Sequence, residues 1–432
     1  MPDLQLENPN PHLLDRVMAL ADSKEVLAAE DIYTDKGIKL LSRGSQLDRA
    51  MQERLLSHKL KRPLVQSLSV AEQITGEALG LLAQILLEEQ PMLVRLCAPY
   101  GVESLLADLA AAPLSKVSLL LLTLSQRTEG AAMRHAVMVS LIALSLGRSL
   151  RLSPDAMRQL AVAGLLHDIG ELYIDPAVLA ASHHVTQEEW RSLAVHPVVG
   201  HRLILETTDL GDMVARIVLE HHERIDGSGY PRGLLEAAIS PAGQALAAAE
   251  MVVGLLGKVS DSGNRLDLAL KVVSSGHAPP VMLKLRDSLV AESAMCGLPL
   301  YSSEGVIGAL DRLVGNLDII HNALIRSHDE ATVAETRELV AGAVERFGVI
   351  RRAFLRTGLG SIPAAEIRTL LADTPAEELA EAMGIVDELN WRVRELSRAV
   401  SLRISMLPVD ERNHLAPLLS TLADPLAHRV PA

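Results

Sequence analysis

Leucine and alanine recur at steps of three and four residues along most of the chain, which is the spacing of one face of an α-helix. The pattern predicts helices between about residues 70 and 125 and, beyond residue 300, over 307–325, 331–354 and 375–404. In the middle of the chain, four dipeptides place a proline where a helix would begin: Ser153-Pro154, Asp175-Pro176, His196-Pro197 and Ser240-Pro241. We therefore predict a mainly α protein whose central part is a bundle of short helices.

The segment 26–41 has a different pattern. Apolar residues around Val26 and Ile32 precede the turn Asp35-Lys36-Gly37 and a second apolar run, which predicts a small β-hairpin. A helix from about Gln46 to His58 should pack on this hairpin, and Pro63 should end the unit. Four parts follow: an α/β accessory module (1–66), a helical linker (67–125), a central domain (126–300) and a C-terminal helical region (301–432). This last region is either a regulatory or oligomerisation bundle or a stabilising extension.

Composition and charge narrow the class of protein. Only 2% of the residues are aromatic although 49% are apolar, so aliphatic side chains must form the core, as in helical proteins. The net charge of −13 argues against binding to nucleic-acid polymers or anionic membranes, whereas a small anionic substrate could bind through cations. The most apolar run, residues 117–124, is far shorter than the ~20 residues that span a bilayer. We expect a soluble cytoplasmic protein.

Histidines are concentrated in the central domain, where eight of the fifteen lie between residues 135 and 222. Several are paired with each other or with an acidic residue: the candidate metal ligands are His135, His167, Asp168, His196, His221, His222 and Glu250. A lone buried histidine is more often a hydrogen-bonded core residue, but such pairs at helix ends are costly to bury without a cation. Imidazoles suit iron, manganese or zinc, and Asp168 could bridge two ions that act together on a phosphodiester.

The other three histidines of this region have simpler interpretations. His183 and His184 should lie solvated in a loop, and His201 should be a core or surface residue. The histidine pair at 221–222 opens the sequence HHERIDGSGYPRG, in which Gly227 and Gly229 permit positive φ angles and close approach to a ligand. A turn that ends a helix would explain these glycines but not the preceding His-His-Glu.

This segment resembles the HHExxDGxGYP signature of HD-GYP domains, and all eight fixed letters are present. Upstream, His167-Asp168-Ile169-Gly170 resembles the HDIG element of that family, and His196-Pro197 with Gly200 resembles its HPxxG element. The resemblance covers about residues 126–295. It implies a five-helix HD core with two extra GYP helices, a bi- or trinuclear iron or manganese site, and hydrolysis of cyclic di-GMP to linear pGpG or GMP.

The resemblance also implies roles for individual residues. The seven candidate ligands would hold the metal ions, and His167 and Asp168 would be central to catalysis. The residues expected to border the substrate are Arg224, Asp226, Gly227, Gly229, Tyr230, Pro231 and Glu171.

Several positions depart from the family pattern. Glu171 and Ala181 replace lysines, Gln244 replaces an arginine, Val253 replaces an aspartate, and Glu250 replaces an aspartate ligand. Ala131 stands where trinuclear members have a glutamate, so we expect two divalent ions.

Three hypotheses remain open. The chain could be a working phosphodiesterase, a non-catalytic relative that binds metal or nucleotide and signals through partners, or a hydrolase of a related nucleotide. Protein partners or a second copy of the chain could bind the helical flanks.

Overall fold

The computed structural model describes residues 5–126, 130–179, 187–227, 229–256, 281–283, 285, 301–361, 364–372 and 374–423. The chain divides into two compact units, Met1–Glu223 with Tyr230–Val253 and Arg224–Gly229 with Gly254–Ala432. The predicted mainly α fold is confirmed. No helix in the described ranges is both long enough and apolar enough to cross a bilayer. The division into four parts stays a prediction.

Helices make up most of the first unit. The described helices that begin in it are α1 (Pro11–Ala21), α2 (Arg49–Leu56), α3 (Gly76–Glu89), α4 (Pro91–Cys97), α5 (Val102–Ala110), α6 (Lys116–Ser125), α7 (Ala131–Ser149), α8 (Pro154–Leu166), α9 (Gln187–Leu193), α10 (His196–Thr207), α11 (Gly211–Glu220) and α12 (Pro241–Leu256). A 3₁₀ turn, Ile169–Tyr173, lies between α8 and α9. The short strands are β1 (Val26–Ala28), β2 (Ile32–Tyr33), β3 (Lys39–Leu41) and β4 (Leu68–Val70).

The predicted hairpin is confirmed, because β2 and β3 pair antiparallel with Ile32 opposite Leu41. Strand β1 pairs instead with β4, which lies beyond Pro63, and this pairing was not predicted. A strand of three residues is too short to show an alternating pattern. Helix α1 was also missed, although Asn10 caps it by accepting the backbone N–H groups of His12 and Leu13.

Three of the four proline-marked helix starts are confirmed. Ser153 caps α8, α10 begins at His196, and the Ser240 hydroxyl accepts the Gly243 N–H at the start of α12. The prediction of a helix at Asp175-Pro176 is wrong. The Asp175 carboxylate accepts the N–H of Ala177 at 2.9 Å, and the chain forms a turn there.

Glycines set how closely the central helices approach one another. A side chain at Gly170, in the 3₁₀ turn, would place its Cβ 2.0 Å from the His196 carbonyl oxygen and 2.8 Å from the Gly200 nitrogen. A Cβ at Gly164 in α8 would lie 2.7 Å from the Ser140 Cα in α7. The backbones of α7, α8, the 3₁₀ turn and α10 therefore pack without intervening side chains, which brings their histidines together.

The second unit is a separate helical bundle. Its described helices are α13 (Ser303–Glu330), α14 (Ala334–Arg356), α15 (Ala364–Ala372), α16 (Ala376–Ser405), α17 (Val409–His414) and α18 (Ala416–Ala423). The three long helices match the three predicted segments, whereas the three short ones were not predicted. Their apolar faces share a core that includes Leu310, Leu313, Phe347, Leu389 and Val400.

The segment Arg224–Gly229 belongs to this second unit and is held by α16. The Arg224 Nη2 donates to the Glu395 carboxylate at 2.8 Å. The Arg403 Nη2 donates to the Gly227 carbonyl oxygen, also at 2.8 Å. Gly227 has a φ of 74°, the left-handed conformation expected from the sequence.

We predict that Gly170→Ala destabilises the protein by roughly 2 to 3 kcal/mol. The new methyl group would overlap backbone atoms of α10, and the helix would have to shift as a whole to relieve the overlap. Thermal or denaturant unfolding would measure the loss. Gly80→Ala in α3 is the matched control, since a Cβ there meets nothing within 4 Å. The control should be neutral or slightly stabilising. Equal stability of the two variants would contradict this account of the close approach.

Candidate metal centre

The seven candidate ligands come from five helices and converge on one site. Most of them stand at the ends of their helices. His135 lies in the second turn of α7, and Glu250 lies in α12. The others stand at helix ends: His167 and Asp168 after α8, His196 at the start of α10, and His221 and His222 after α11. A side chain at a helix end can extend past the helix toward its neighbours. Side chains from five segments that are distant in sequence can therefore meet at one site.

These residues form two groups, within each of which the candidate ligand atoms lie within 4.8 Å of one another. The first group is His135, His167 and Glu250. Its Glu250 Oε2 lies 2.9 Å from the His135 Nε2 and 3.3 Å from the His167 Nε2. The second group is Asp168, His196, His221 and His222, and its His196 and His221 Nε2 atoms are 3.0 Å apart.

Asp168 lies between the two groups and turns one carboxylate oxygen toward each. Its Oδ2 is 3.0 Å from the His167 Nε2 and 3.8 Å from that of His135. Its Oδ1 is 3.4 Å from the His196 Nε2 and 3.6 Å from that of His221. A carboxylate placed in this way can bridge two ions.

Backbone hydrogen bonds orient three of the imidazole rings. The Nδ1 atoms of His167, His196 and His221 donate to the carbonyl oxygens three residues earlier, at 2.8, 2.8 and 2.6 Å. A carbonyl oxygen only accepts, so Nδ1 carries the proton and the Nε2 lone pair of the neutral ring points into the centre. Such bonds to the outer ring nitrogen are typical of metal-binding histidines.

The Nε2 spacing agrees with shared binding of an ion. The Nε2 atoms of His196 and His221 face each other across 3.0 Å, so a proton or a metal ion is needed between them to avoid repulsion of their lone pairs. Two nitrogens that bind one ion at about 2.1 Å in neighbouring octahedral positions, at about 90° to each other, lie about 3.0 Å apart. The donor set therefore fits divalent cations.

The mutual electrostatics of these side chains point the same way. Burial lowers the pKa of His167, but Asp168 and Glu250 more than compensate, so its pKa lies well above the usual range. Burial raises the pKa of Asp168, yet the surrounding imidazoles hold it well below its usual value, and Glu250 behaves alike. His222 differs, because burial and two neighbouring histidines depress its pKa. The carboxylates thus draw positive charge into the centre, which protons or metal ions can supply.

A pocket of about 310 Å³ opens on the first group. Its lining includes His135, His167, Asp168, Glu250, Glu171 and Arg16. The Asp168 side chain is 34% exposed while that of His167 is fully buried, so the carboxylate can be reached from the pocket. Glu171, predicted to border the substrate, does line this pocket.

The loop after His222 is closed by Glu223, a residue whose role the sequence did not reveal. This carboxylate is buried and accepts the backbone N–H groups of Arg232 at 2.7 Å and Leu234 at 2.8 Å. The Tyr230 ring stacks on His222 with centroids 4.6 Å apart. Glu223 therefore ties the end of the loop, at Arg232 and Leu234, to the residue that directly follows the histidine pair.

The remaining predicted substrate residues are placed differently. Tyr230 and Pro231 lie in the first unit beside the histidine pair, while Arg224, Asp226, Gly227 and Gly229 lie in the second unit. Asp226 is exposed, and Arg224 contacts Glu395. Their part in substrate binding stays a prediction.

The positions that depart from the family pattern have local explanations. Gln244 donates to the carbonyl oxygens of Glu236 and Ile239, which precede α12, and Val253 is buried in the core. Ala131 forms part of the pocket wall. His201 is half-buried and belongs to neither group of candidate ligands, in keeping with its prediction as a core or surface residue. Ala181, His183 and His184 lie outside the described residues.

Comparison with known proteins finds a match to the family model described as HD domain over residues 116–277. A cyclic di-GMP phosphodiesterase, PA4108 from Pseudomonas aeruginosa, is 38% identical over 106 residues, 24% of this chain and 26% of that protein. The response regulator RpfG from Xanthomonas campestris, also a cyclic di-GMP phosphodiesterase, is 36% identical over 28% of this chain and 32% of its own length. The 3'3'-cGAMP-specific phosphodiesterase 3 of Vibrio cholerae is 36% identical over 26% and 23%, respectively.

This chain thus spans about a quarter to a third of the length of the curated relatives it matches. Among solved structures, Bd1817, an HDG"Y"P protein from Bdellovibrio bacteriovorus, is similar with a TM-score of 0.34 and 19% identity. The similarity covers 62% of this chain and 96% of that one. A match to the HD domain implies binding of divalent metal ions, and the two groups of ligand atoms can provide it.

We predict that Glu223→Gln destabilises the protein by roughly 1 to 3 kcal/mol, because the new amide of this buried side chain can accept only one of the two backbone N–H groups. Denaturant unfolding would measure the loss, and hydrogen exchange at Arg232 and Leu234 would localise it. The exposed Glu236→Gln in the same loop is the control and should change neither quantity. Unaltered exchange at both amides would show that Glu223 does not close the loop.

Proposed function

We propose that this chain, which matches the HD domain model over residues 116–277, is a member of the HD-GYP branch of that family and a metal-dependent phosphodiesterase that hydrolyses cyclic di-GMP. The product would be linear pGpG or GMP. One observation carries the proposal: the Asp168 carboxylate turns one oxygen to each of two histidine groups. Because each relative is matched over only part of its length, substrate and partners are part of the proposal.

Two divalent ions, iron or manganese, would be held by His135, His167 and Glu250 on one side and by His196, His221 and His222 on the other, with Asp168 shared. The bound ions would supply Lewis-acid polarisation of the phosphodiester and lower the pKa of a water nucleophile. The protein's own contribution is orientation. The backbone bonds at Nδ1 fix the rings of His167 and His221, and Asp168 stays ionised at neutral pH because the imidazoles depress its pKa.

The substrate would approach through the 310 Å³ pocket, which exposes Asp168 and Glu250. Tyr230, stacked on His222, offers an aromatic face beside the centre on which a guanine base could pack. Arg224 and the loop residues from Asp226 to Pro231 would border the remainder of the nucleotide. Relatives specific for 3'3'-cGAMP make a related cyclic dinucleotide the alternative substrate.

A non-catalytic role would follow if Glu250 could not act as a ligand in place of aspartate. Its Oε2 lies 2.9 Å from the His135 Nε2 and 3.3 Å from the His167 Nε2, which supports a working centre. Gln244, another departure, is engaged with backbone carbonyls before α12 and is accounted for by loop structure. Protein partners or self-association through residues 301–432 would add regulation to either role.

Removing a ligand tests the centre. We predict that His167→Ala and Asp168→Ala each lower turnover of cyclic di-GMP by at least about a hundredfold and reduce the metal content after purification. Elemental analysis and product chromatography with added manganese or iron would measure both. His201→Ala on α10 is the control and should retain both properties, since His201 lies in neither group.

The outcomes separate the hypotheses. Two bound ions without turnover of any cyclic dinucleotide would reject the enzyme. Turnover of 3'3'-cGAMP but not of cyclic di-GMP would change the substrate. Normal metal content in both ligand variants would reject the centre itself.

We further predict that Glu171→Lys raises turnover several-fold, because it exchanges a negative charge on the pocket wall for a positive one that attracts phosphate. Steady-state kinetics should show the effect mainly in KM. Glu103→Lys on the exposed face of α5 makes the same change in net charge away from the pocket and should leave the kinetics unchanged. Unaltered kinetics in Glu171→Lys would mean that phosphate attraction is not limiting.

A further inference from the structure

Arg16 reaches the candidate metal centre from the N-terminal segment, more than a hundred residues away from the histidines in sequence. It lies on α1, whose Leu13, Leu14, Val17 and Met18 are buried at 0–2% exposure. The helix packs against the 3₁₀ turn, α2, α6 and β1, all within the first unit. Arg16 is therefore carried by a helix that is fixed in the core.

The guanidinium group is held at the pocket wall. Its Nη2 donates to the Glu171 carbonyl oxygen at 3.3 Å, and at the end of the same helix the Asn10 amide lies 3.5 Å from the Tyr173 carbonyl oxygen. Both acceptors belong to the 3₁₀ turn that directly follows Asp168. The same contacts that dock α1 thus place Arg16 beside the centre.

The charge of Arg16 is distinctive in this place. Among the described residues that line the pocket, it is the only arginine or lysine, and three carboxylates line the same space: Asp168, Glu171 and Glu250. Asp168 and Glu250 face imidazoles and would be neutralised by metal ions. A permanently charged guanidinium in the lining of such a pocket favours an anion that enters it.

We propose that Arg16 is a substrate-binding residue that donates to a non-bridging oxygen of the phosphodiester in the pocket that opens on the candidate metal centre. The proposal rests on the proposed function. A guanidinium carries five N–H donors in a planar fork, so a group that is held by a carbonyl oxygen can also donate to phosphate. Arg16 thereby provides the positive charge on the pocket wall that is lost where Glu171 replaces a lysine.

The competing explanation is that Arg16 only docks α1 on the 3₁₀ turn. Loss of that role would lower stability and would not change phosphate affinity in protein that remains folded. A cation restored at another point of the pocket wall would then repair nothing. These two differences determine the experiment.

The test compares Arg16→Gln and Arg16→Lys with Arg54→Gln, an exposed arginine on α2, in the full-length chain loaded with manganese. Isothermal titration with inorganic phosphate gives an affinity that needs no turnover, and elemental analysis gives the metal content. Cyclic di-GMP kinetics and thermal unfolding are measured on the same preparations.

We expect Arg16→Gln to raise the Kd for phosphate roughly tenfold to a hundredfold, the usual effect of losing a charged hydrogen bond, with an unchanged metal content. The KM for cyclic di-GMP should rise in parallel. Arg16→Lys should lie between the two, because it keeps the charge but lacks the fork. Arg54→Gln should match the natural protein.

A second variant keeps the proposal testable if Arg16→Gln folds poorly. Glu171→Lys, combined with Arg16→Gln, places a new cation on the same wall and should recover most of the phosphate affinity. Glu103→Lys in the same background should recover none.

Phosphate affinity in Arg16→Gln equal to that of Arg54→Gln would overturn the proposal. It would also be overturned if Arg16→Gln lost metal while its remaining metal-loaded centres bound phosphate with unaltered affinity. Failure of Glu171→Lys to restore phosphate affinity in the Arg16→Gln background would have the same consequence. If the natural protein hydrolyses no cyclic dinucleotide but Arg16→Gln still weakens phosphate binding, the proposed function fails while this role of Arg16 stands.

Discussion

The structure depends on the close approach of imidazole nitrogens and carboxylates, which repel one another unless positive charge lies between them. The Nε2 atoms of His196 and His221 face each other across 3.0 Å, and Asp168 and Glu250 belong to the same two groups of candidate ligands. Without positive charge this arrangement is unfavourable, because each group would otherwise have its lone pairs satisfied by water. The fold must therefore hold these side chains together against their tendency to separate. Asp168 and Glu250 raise the pKa of His167 despite its burial, so the interior favours a positive charge.

Helix ends provide the means of holding them. The carbonyl oxygens of the last turn of a helix lack intrahelical partners. In α8, α9 and α11, carbonyls of this kind at Gly164, Leu193 and Val218 accept the Nδ1–H of the histidine three residues later. One hydrogen bond thus satisfies a helix terminus and aims an Nε2 atom inward. The negative end of the helix dipole also favours a positively charged centre nearby.

What the sequence could predict follows from the range of the interactions concerned. The long helices of the second unit and the hairpin of the first rest on local periodicity, and the histidine pairs are contiguous in sequence. The contribution of Arg16 depends on a contact with Glu171 across 155 positions, for which no local pattern exists. The signal for Glu223 was present in the motif, but its backbone partners could be identified only in the folded loop. The prediction of a helix at Asp175-Pro176 was wrong because an aspartate before proline caps turns as readily as helices.

Helix α1 of the N-terminal segment makes a large contribution to the stability of the first unit. Four side chains of α1 are almost completely buried, and each contributes about 1.5 to 3 kcal/mol of hydrophobic stabilisation. Their sum is comparable with the whole net stability of an ordinary domain, about 5 to 15 kcal/mol. Separation of α1 would therefore expose the core of the first unit and would remove Arg16 from the pocket wall at the same time. Helix α1 packs against both β1 and the 3₁₀ turn that follows Asp168, so it joins the N-terminal strands to the segment that carries this candidate ligand.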